Sequence, residues 1–150
     1  MNREIDEKDM KIIEILKDHA EFTTRQIAKK TLLPITTVHN RIRKLRKEGI
    51  IRKYTVKLDN EKLGKSFVSY ILVSVNLPIL KQKHKTQRDL AQELKKFYFV
   101  ERADIVTGGT DIVVIVRVKD VNEFDDCLLN KLQLIEGIDK TQTLIVIHSK

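Results

Sequence analysis

Apolar residues recur at helical spacing through the first third of the chain and at strand spacing through most of the remainder. Met10, Ile12, Ile13, Ile15 and Leu16 form a stripe of helical period. Asp6 is placed to cap that helix, and Asp9, three residues on, completes a variant of the capping box. Thr23 and Thr24 give a second start signal ahead of Arg25-Gln26-Ile27-Ala28-Lys29-Lys30. Thr31-Leu32-Leu33 interrupts the pattern. Pro34, tolerated in a first helical turn, begins a third helix that Gly49 ends. A short helix, a tight turn and a longer helix make a helix-turn-helix pattern. Ile50 to Leu58 then alternates loosely, which predicts a strand, either a short wing or a bridge to the second half of the chain.

The second half changes period. Phe67 to Leu77 is rich in β-branched and aromatic residues and predicts a buried strand. Gln87 to Phe97 is a helix with Leu90, Ala91 and Leu94 on one side. Phe99–Val106 and Ile112–Val118 are strands around the tight turn Thr107-Gly108-Gly109-Thr110-Asp111. Val121–Leu132 is a second helix and Thr141–Ile147 a last strand, whereas Lys81–Lys85 reads as a basic loop carrying His84. The order β-α-β-β-α-β is that of a ferredoxin-like open sandwich, whose two helices cover one face of the sheet. Ile71, Val73, Val113, Ile115, Leu144 and Val146 cannot all point to that face. The other face therefore needs a partner, and sheet-to-sheet homodimerisation is expected. The fold class is α+β, with a helix-turn-helix (winged-helix-like) domain over residues 1–58, a linker over 59–65 and a ferredoxin-like domain over 66–150.

The helix over 34–48 carries the chemistry. At roughly 100° per residue, Val38, Ile42 and Leu45 form a narrow apolar stripe. Thr36, Asn40, Arg43 and Lys47 lie opposite, with His39, Lys44 and Arg46 on the flanks. Glu48 is the helix's lone acid, so the exposed face has short hydrogen-bonding groups at its start and cations further on. Such a face suits a helix lying in the DNA major groove. Thr36, Thr37, His39, Asn40 and Arg43 are the candidate readers of base edges. Arg46, Lys47, Arg52 and Lys53 are candidate phosphate anchors, which supply affinity without sequence information. Thr24 and Arg25, at the start of the second helix, could meet a phosphate, with capping the structural role for Thr24. Arg41 lies beside the apolar stripe, where it either reaches DNA or pairs with an acid of the first helix.

Charge distribution sharpens this picture. The 150-residue chain has a net charge of +8. Eight bases (Arg41, Arg43, Lys44, Arg46, Lys47, Arg52, Lys53 and Lys57) stand against Glu48 between 41 and 57, while beyond residue 60 bases and acids nearly cancel. A local basic patch argues for a specific polyanion site. One cysteine, Cys127, excludes an internal disulfide, and the four histidines lack the spacing of metal ligands, so no metal or cofactor is expected. The paired carboxylates, histidine–nucleophile pairs and phosphate-cradling glycine loops of enzymes are missing. An aromatic content of 5% disfavours a base-stacking RNA sheet. With no secretory leader and no membrane-length apolar run, a cytoplasmic protein is the default expectation.

The ordered set of motifs resembles the Lrp/AsnC ("feast/famine") family of bacterial and archaeal transcription regulators. It runs through Asp6-x-x-Asp9-x-x-Ile12-Ile13-x-x-Leu16, Ile27-Ala28 and Thr36-Thr37-Val38-x-x-Arg41-Ile42-x-x-Leu45-x-x-x-Gly49-Ile50-Ile51. It continues through Tyr54-Thr55, Asp59 and Leu63-Gly64 to Gly108-x-x-Asp111 and Thr141-x-Thr143. The resemblance implies a DNA-binding helix-turn-helix joined to an effector domain often called RAM. It implies dimers through the sheet, commonly assembled into tetramers or octamers, acting on double-stranded DNA and through it on the transcription machinery. It also implies a free amino acid bound near Gly108 and Asp111, with Gly109 and Thr110 as neighbours. Thr110 stands where the family often has an aromatic residue.

Overall fold

A computed structural model of the chain describes residues 5–148, so the outermost ends of the two expected domains lie outside the described residues. The chain divides into two compact units, Met1–Leu58 and Asp59–Lys150.

The described residues of the first unit form three helices: α1 (Glu7–Asp18), α2 (Thr24–Thr31) and α3 (Ile35–Lys47). Asp6 caps α1 and exchanges bonds with Asp9 in the predicted capping box. On α2 that role belongs to Thr23 and not to Thr24. Thr23 accepts from the Gln26 amide, and Gln26 bonds back to Thr23 N, which leaves Thr24 as the first helical residue. Ile12, Leu16, Ile27, Ala28 and Val38 form the core, with Ile42 and Ile51 packed on it. Leu32, in the left-handed conformation at φ 56°, makes the turn between α2 and α3.

The strand expected over Ile50–Leu58 does not form, and the described residues of this unit contain no wing hairpin. A strand exists only against another strand, and every other element among the described residues of the unit is a helix. Residues 52–58 are accordingly exposed and form no regular element.

The second unit holds β1 (Phe67–Val75), α4 (Leu77–Gln82), α5 (Gln87–Leu94), β2 (Val100–Ile105), β3 (Ile112–Val118), α6 (Val121–Cys127) and β4 (Ile138–Ile145). The sheet is antiparallel in the order β2-β3-β1-β4. Tight backbone turns over Asp59–Gly64 precede β1. Pairing of Ile71 with Val114 and Val73 with Ile112 sets these four on one face. There they meet Leu90, Ala91, Leu94, Phe124 and Leu132 in the buried core. Tyr70 pairs with Ile115 and Leu144 on the other face. Tyr70 and Leu144 are 40% and 46% exposed there. The apolar residues thus divide between the two faces.

Several boundaries differ from the sequence reading, and α5 ends at Leu94 where the helix was expected to reach Phe97. α4 replaces the first part of the expected basic loop, because Asn76 caps it through the Ile79 amide and Pro78 sits harmlessly in its first turn. The helix after β3 leaves α geometry at Leu128–Leu132, a π turn closed by Gln133 N to Leu128 O. β4 starts at Ile138, where a register shift against Val75 admits Ile138 to the core side.

Candidate nucleic-acid interface and effector turn

α3 is built so that few of its residues serve the fold. Val38 and Leu45 are buried, and Arg41, Ile42 and Thr37 are half-buried. Thr36, His39, Asn40, Arg43, Lys44, Arg46 and Lys47 are exposed. The helix starts at Pro34, which offers no side-chain cap. It ends in a Schellman arrangement: Gly49 N donates to Arg46 O at 3.1 Å and Ile50 N to Leu45 O at 3.0 Å. Gly49 adopts φ +74°, which that motif requires. Lys44, Arg46 and Lys47 in the last turn complement the negative end of the helix dipole.

The outward face of α3 borders two hollows. One, of about 580 Å³, is lined by Phe22, Thr24, His39, Arg43, Arg46, Lys47, Arg52 and Tyr54 among others. The other is lined by Asn40, Arg43, Lys44, Lys47 and Glu48. Arg43 and Lys47 border both and form the ridge between them. Seven of the eleven predicted DNA contacts thus converge here: Thr24, His39, Asn40, Arg43, Arg46, Lys47 and Arg52. Thr36 is exposed one turn earlier, and Arg25 is exposed at the start of α2. Thr37 is half-buried, so it has less surface to offer than Thr36. Lys53 lies apart from the groove, beside Ile13, Leu16 and Lys17 of α1.

Two residues of the surface were not anticipated as contacts from the sequence. Tyr54 closes the groove, with the Arg46 guanidinium 5.9 Å from its ring centre, within cation–π range. Lys44 adds a cation to the second hollow. The excess of cations over 41–57 was the available signal for both; an aromatic ring within that run marks where a cation can be steadied.

Arg41 belongs to the fold. Its Nη1 donates to Asp6 Oδ1 and Oδ2 at 2.8 and 2.7 Å and to Asp9 Oδ1 at 2.7 Å. Asp9 is 1% exposed, so the pair clamps α3 to the first turn of α1 from a largely dry position. The bonds to Asp6 and Asp9 hold the guanidinium pKa above its ordinary value. The open choice at this position resolves toward structure.

In the second unit the 107–111 turn is closed by Val106 N to Asp111 O at 2.9 Å. Gly108 has φ +127°, a conformation that favours glycine. The Asp111 carboxylate accepts from Val75 N at 2.8 Å and from Gln87 Nε2 at 3.1 Å, so it ties the turn to the end of β1 and the start of α5. Among the described residues, the amides of Gly108, Gly109 and Thr110 donate to no protein group. The turn therefore presents free donors next to a carboxylate already engaged on two sides. His84 is exposed at φ 53°, just past α4, and Cys127 is buried with its sulfur 3.6 Å from the Tyr98 hydroxyl. Among the described residues no His/Cys/Asp/Glu group could hold a metal, and no helix is long and apolar enough to cross a membrane.

A winged helix-turn-helix DNA-binding family model matches residues 5–52, and the Lrp/AsnC ligand-binding domain matches residues 72–150. This chain is an Lrp/AsnC family member. It is 37% identical over 145 residues to the HTH-type transcriptional regulator FL11 of Pyrococcus horikoshii, covering 97% of this chain and 91% of that protein. The corresponding regulator of Pyrococcus furiosus is 34% identical, with 95% and 89% covered. Among solved structures, Escherichia coli AsnC aligns at TM-score 0.82 and 26% identity, covering 98% and 95% of the two chains. A Neisseria meningitidis transcriptional regulator in complex with L-methionine aligns at TM-score 0.87 and 25% identity, covering 97% and 91%. This Lrp/AsnC protein is thus a DNA-binding transcription regulator and not an enzyme. Its α3 is the second helix of the helix-turn-helix, and its 107–111 turn lies within the matched ligand-binding domain.

Proposed function

We propose that two copies of this regulator join through their open sheet faces and read a pseudo-palindromic duplex with two α3 helices. The half-sites lie about one helical turn of DNA, or a multiple of it, apart. The observation that carries the reading is the cation-rich groove along α3, where Arg43 and Lys47 border both hollows. In it Thr36, His39, Asn40 and Arg43 contact base edges, and Thr37 makes a lesser contribution. Arg46, Lys47 and Arg52 hold phosphates, with Thr24 and Arg25 following the backbone from α2 and Lys53 contributing at the margin. The dimer rests on Tyr70, Leu144 and their neighbours, an apolar surface that a lone copy leaves in water.

The control signal is a free amino acid held at Gly108, Gly109, Thr110 and Asp111. The amides of Gly108, Gly109 and Thr110 suit a carboxylate, and Asp111 faces the ammonium with its remaining lone pairs. The L-methionine complex of the Neisseria relative supports an amino acid as the ligand class. Selection of bound sites from a random DNA pool, with and without a mixture of amino acids, tests both parts. Recovery of a two-fold symmetric site supports the DNA reading, and no enrichment over random DNA refutes it. A change in occupancy with amino acids supports the effector reading; its absence across all twenty removes it. Arg43→Ala is expected to cost about 1–3 kcal/mol of discrimination at one base position per half-site.

A further inference from the structure

Ile35 is the first residue of α3 and is 49% exposed. It joins neither the buried cluster of the first unit nor the side chains packed on it, in contrast to Ile42 two turns later. A lone exposed apolar residue needs no explanation by itself. Its position supplies one. Helical neighbours recur at three and four residues, so Ile35, His39, Ile42 and Arg46 form one row along α3, and the last three line the groove. Ile35 extends that wall at its leading end, one residue before the exposed Thr36. The leading turns of a recognition helix are those that meet base edges. Along the major-groove edges the thymine C5-methyl is the one methyl group, and the other groups that most distinguish base pairs there are hydrogen-bond donors and acceptors.

We propose that Ile35 reads a thymine methyl in each half-site. The inference rests on α3 lying in the major groove, and it adds a specificity residue that is neither polar nor charged. Substituting uracil for thymine removes the methyl and leaves pairing and the O4 acceptor intact, so it isolates the contact. The experiment replaces each thymine of a selected site by uracil in turn and measures affinity for the full-length protein and for Ile35→Ala. At one position per half-site, uracil is expected to weaken the unaltered protein by about fourfold, the value of burying one methyl-sized group. Ile35→Ala should bind the thymine and uracil forms of that position equally, at the affinity the unaltered protein shows for uracil. That residual affinity also reports a folded variant; Ile35→Val, which retains part of the apolar surface, should fall between. If no thymine methyl affects binding, or if Ile35→Ala keeps the thymine preference, the proposal is overturned. Loss of binding by Arg43→Ala alongside either result leaves the docking of α3 standing, whereas unchanged binding by Arg43→Ala rejects the docking itself.

Discussion

The Arg41 clamp makes a prediction that separates folding from reading. Arg41→Met keeps the stem of the side chain and deletes the cation. Removing one partner of a buried ion pair costs about 3–5 kcal/mol, because the other charge is left in a poorly solvated place. The Arg41 side chain is 20% exposed and that of Asp6 is 46% exposed, so water reaches part of the cluster. Asp9, at 1%, gets little of that relief. Discounting the exposed half of the cluster leaves about 2–3 kcal/mol. For a unit of this size that corresponds to a drop of about 10–20 °C in its unfolding midpoint. Chemical or thermal unfolding followed by a probe in the first unit measures it, with DNA affinity determined below the transition. The double variant Asp9→Asn with Arg41→Met should recover part of the loss, since an amide is cheaper to bury than a carboxylate. Wild-type stability together with lost affinity for the selected site would refute the reasoning and return Arg41 to the reading face.

Other positions give equally definite expectations. Lys47→Ala should reduce the slope of log affinity against log salt by about one and leave the chosen sequence unchanged, measured by titration at several ionic strengths. Ser69→Ala should stabilise the second unit by about 1 kcal/mol in denaturant unfolding, because the Ser69 Oγ is fully buried and, among the described residues, has no hydrogen-bond partner. The Glu123 carboxyl is held below its ordinary pKa by the Lys119 amide and the Tyr98 hydroxyl. Its contribution is therefore present above the ordinary carboxylate range and lost as pH falls, so Glu123→Gln should lower stability at neutral pH and flatten its decline between about pH 5 and 3. Gly137→Ala should destabilise the second unit by about 2–4 kcal/mol: the new Cβ would lie 2.4 Å from Leu80 Cδ2, at a φ of +101°.

Much of the fold was legible because local and global signals agreed. The Asp6 capping box, the break before Pro34, the Gly49 stop and the β-α-β-β-α-β order each rest on short-range chemistry that the tertiary structure left in place. What failed were features that depend on a partner. Ile50–Leu58 has the alternation of a strand, yet no strand stands beside it among the described residues of the first unit. α4 was hidden because its six residues are too few to display a period. At the site, the outward face of α3 could be derived from helical spacing. The contribution of Tyr54 could not, since the groove it closes forms only when the chain folds back past α3.

The same limit governs how the two acidic positions of interest are understood. Asp9 reads from sequence as part of a helix cap and Asp111 as a group available for function, and the fold makes further claims on both: Asp9 is held by Arg41, Asp111 by Val75 N and Gln87 Nε2. Sequence spacing assigns a side chain to a face, but only the packed neighbours decide whether its charge is left over. At the turn this has a consequence for the proposed effector. An ammonium group there meets a carboxylate that already accepts two hydrogen bonds, so its attraction to Asp111 is partial. The unclaimed amides of Gly108, Gly109 and Thr110 carry a correspondingly larger share, through the ligand's carboxylate. Replacing Asp111 would therefore loosen the junction of β1, β3 and α5 and weaken the ligand together. The discriminating comparison is of ligands: an amino acid should bind more tightly than the matching amine, and the matching carboxylic acid should retain most of the affinity.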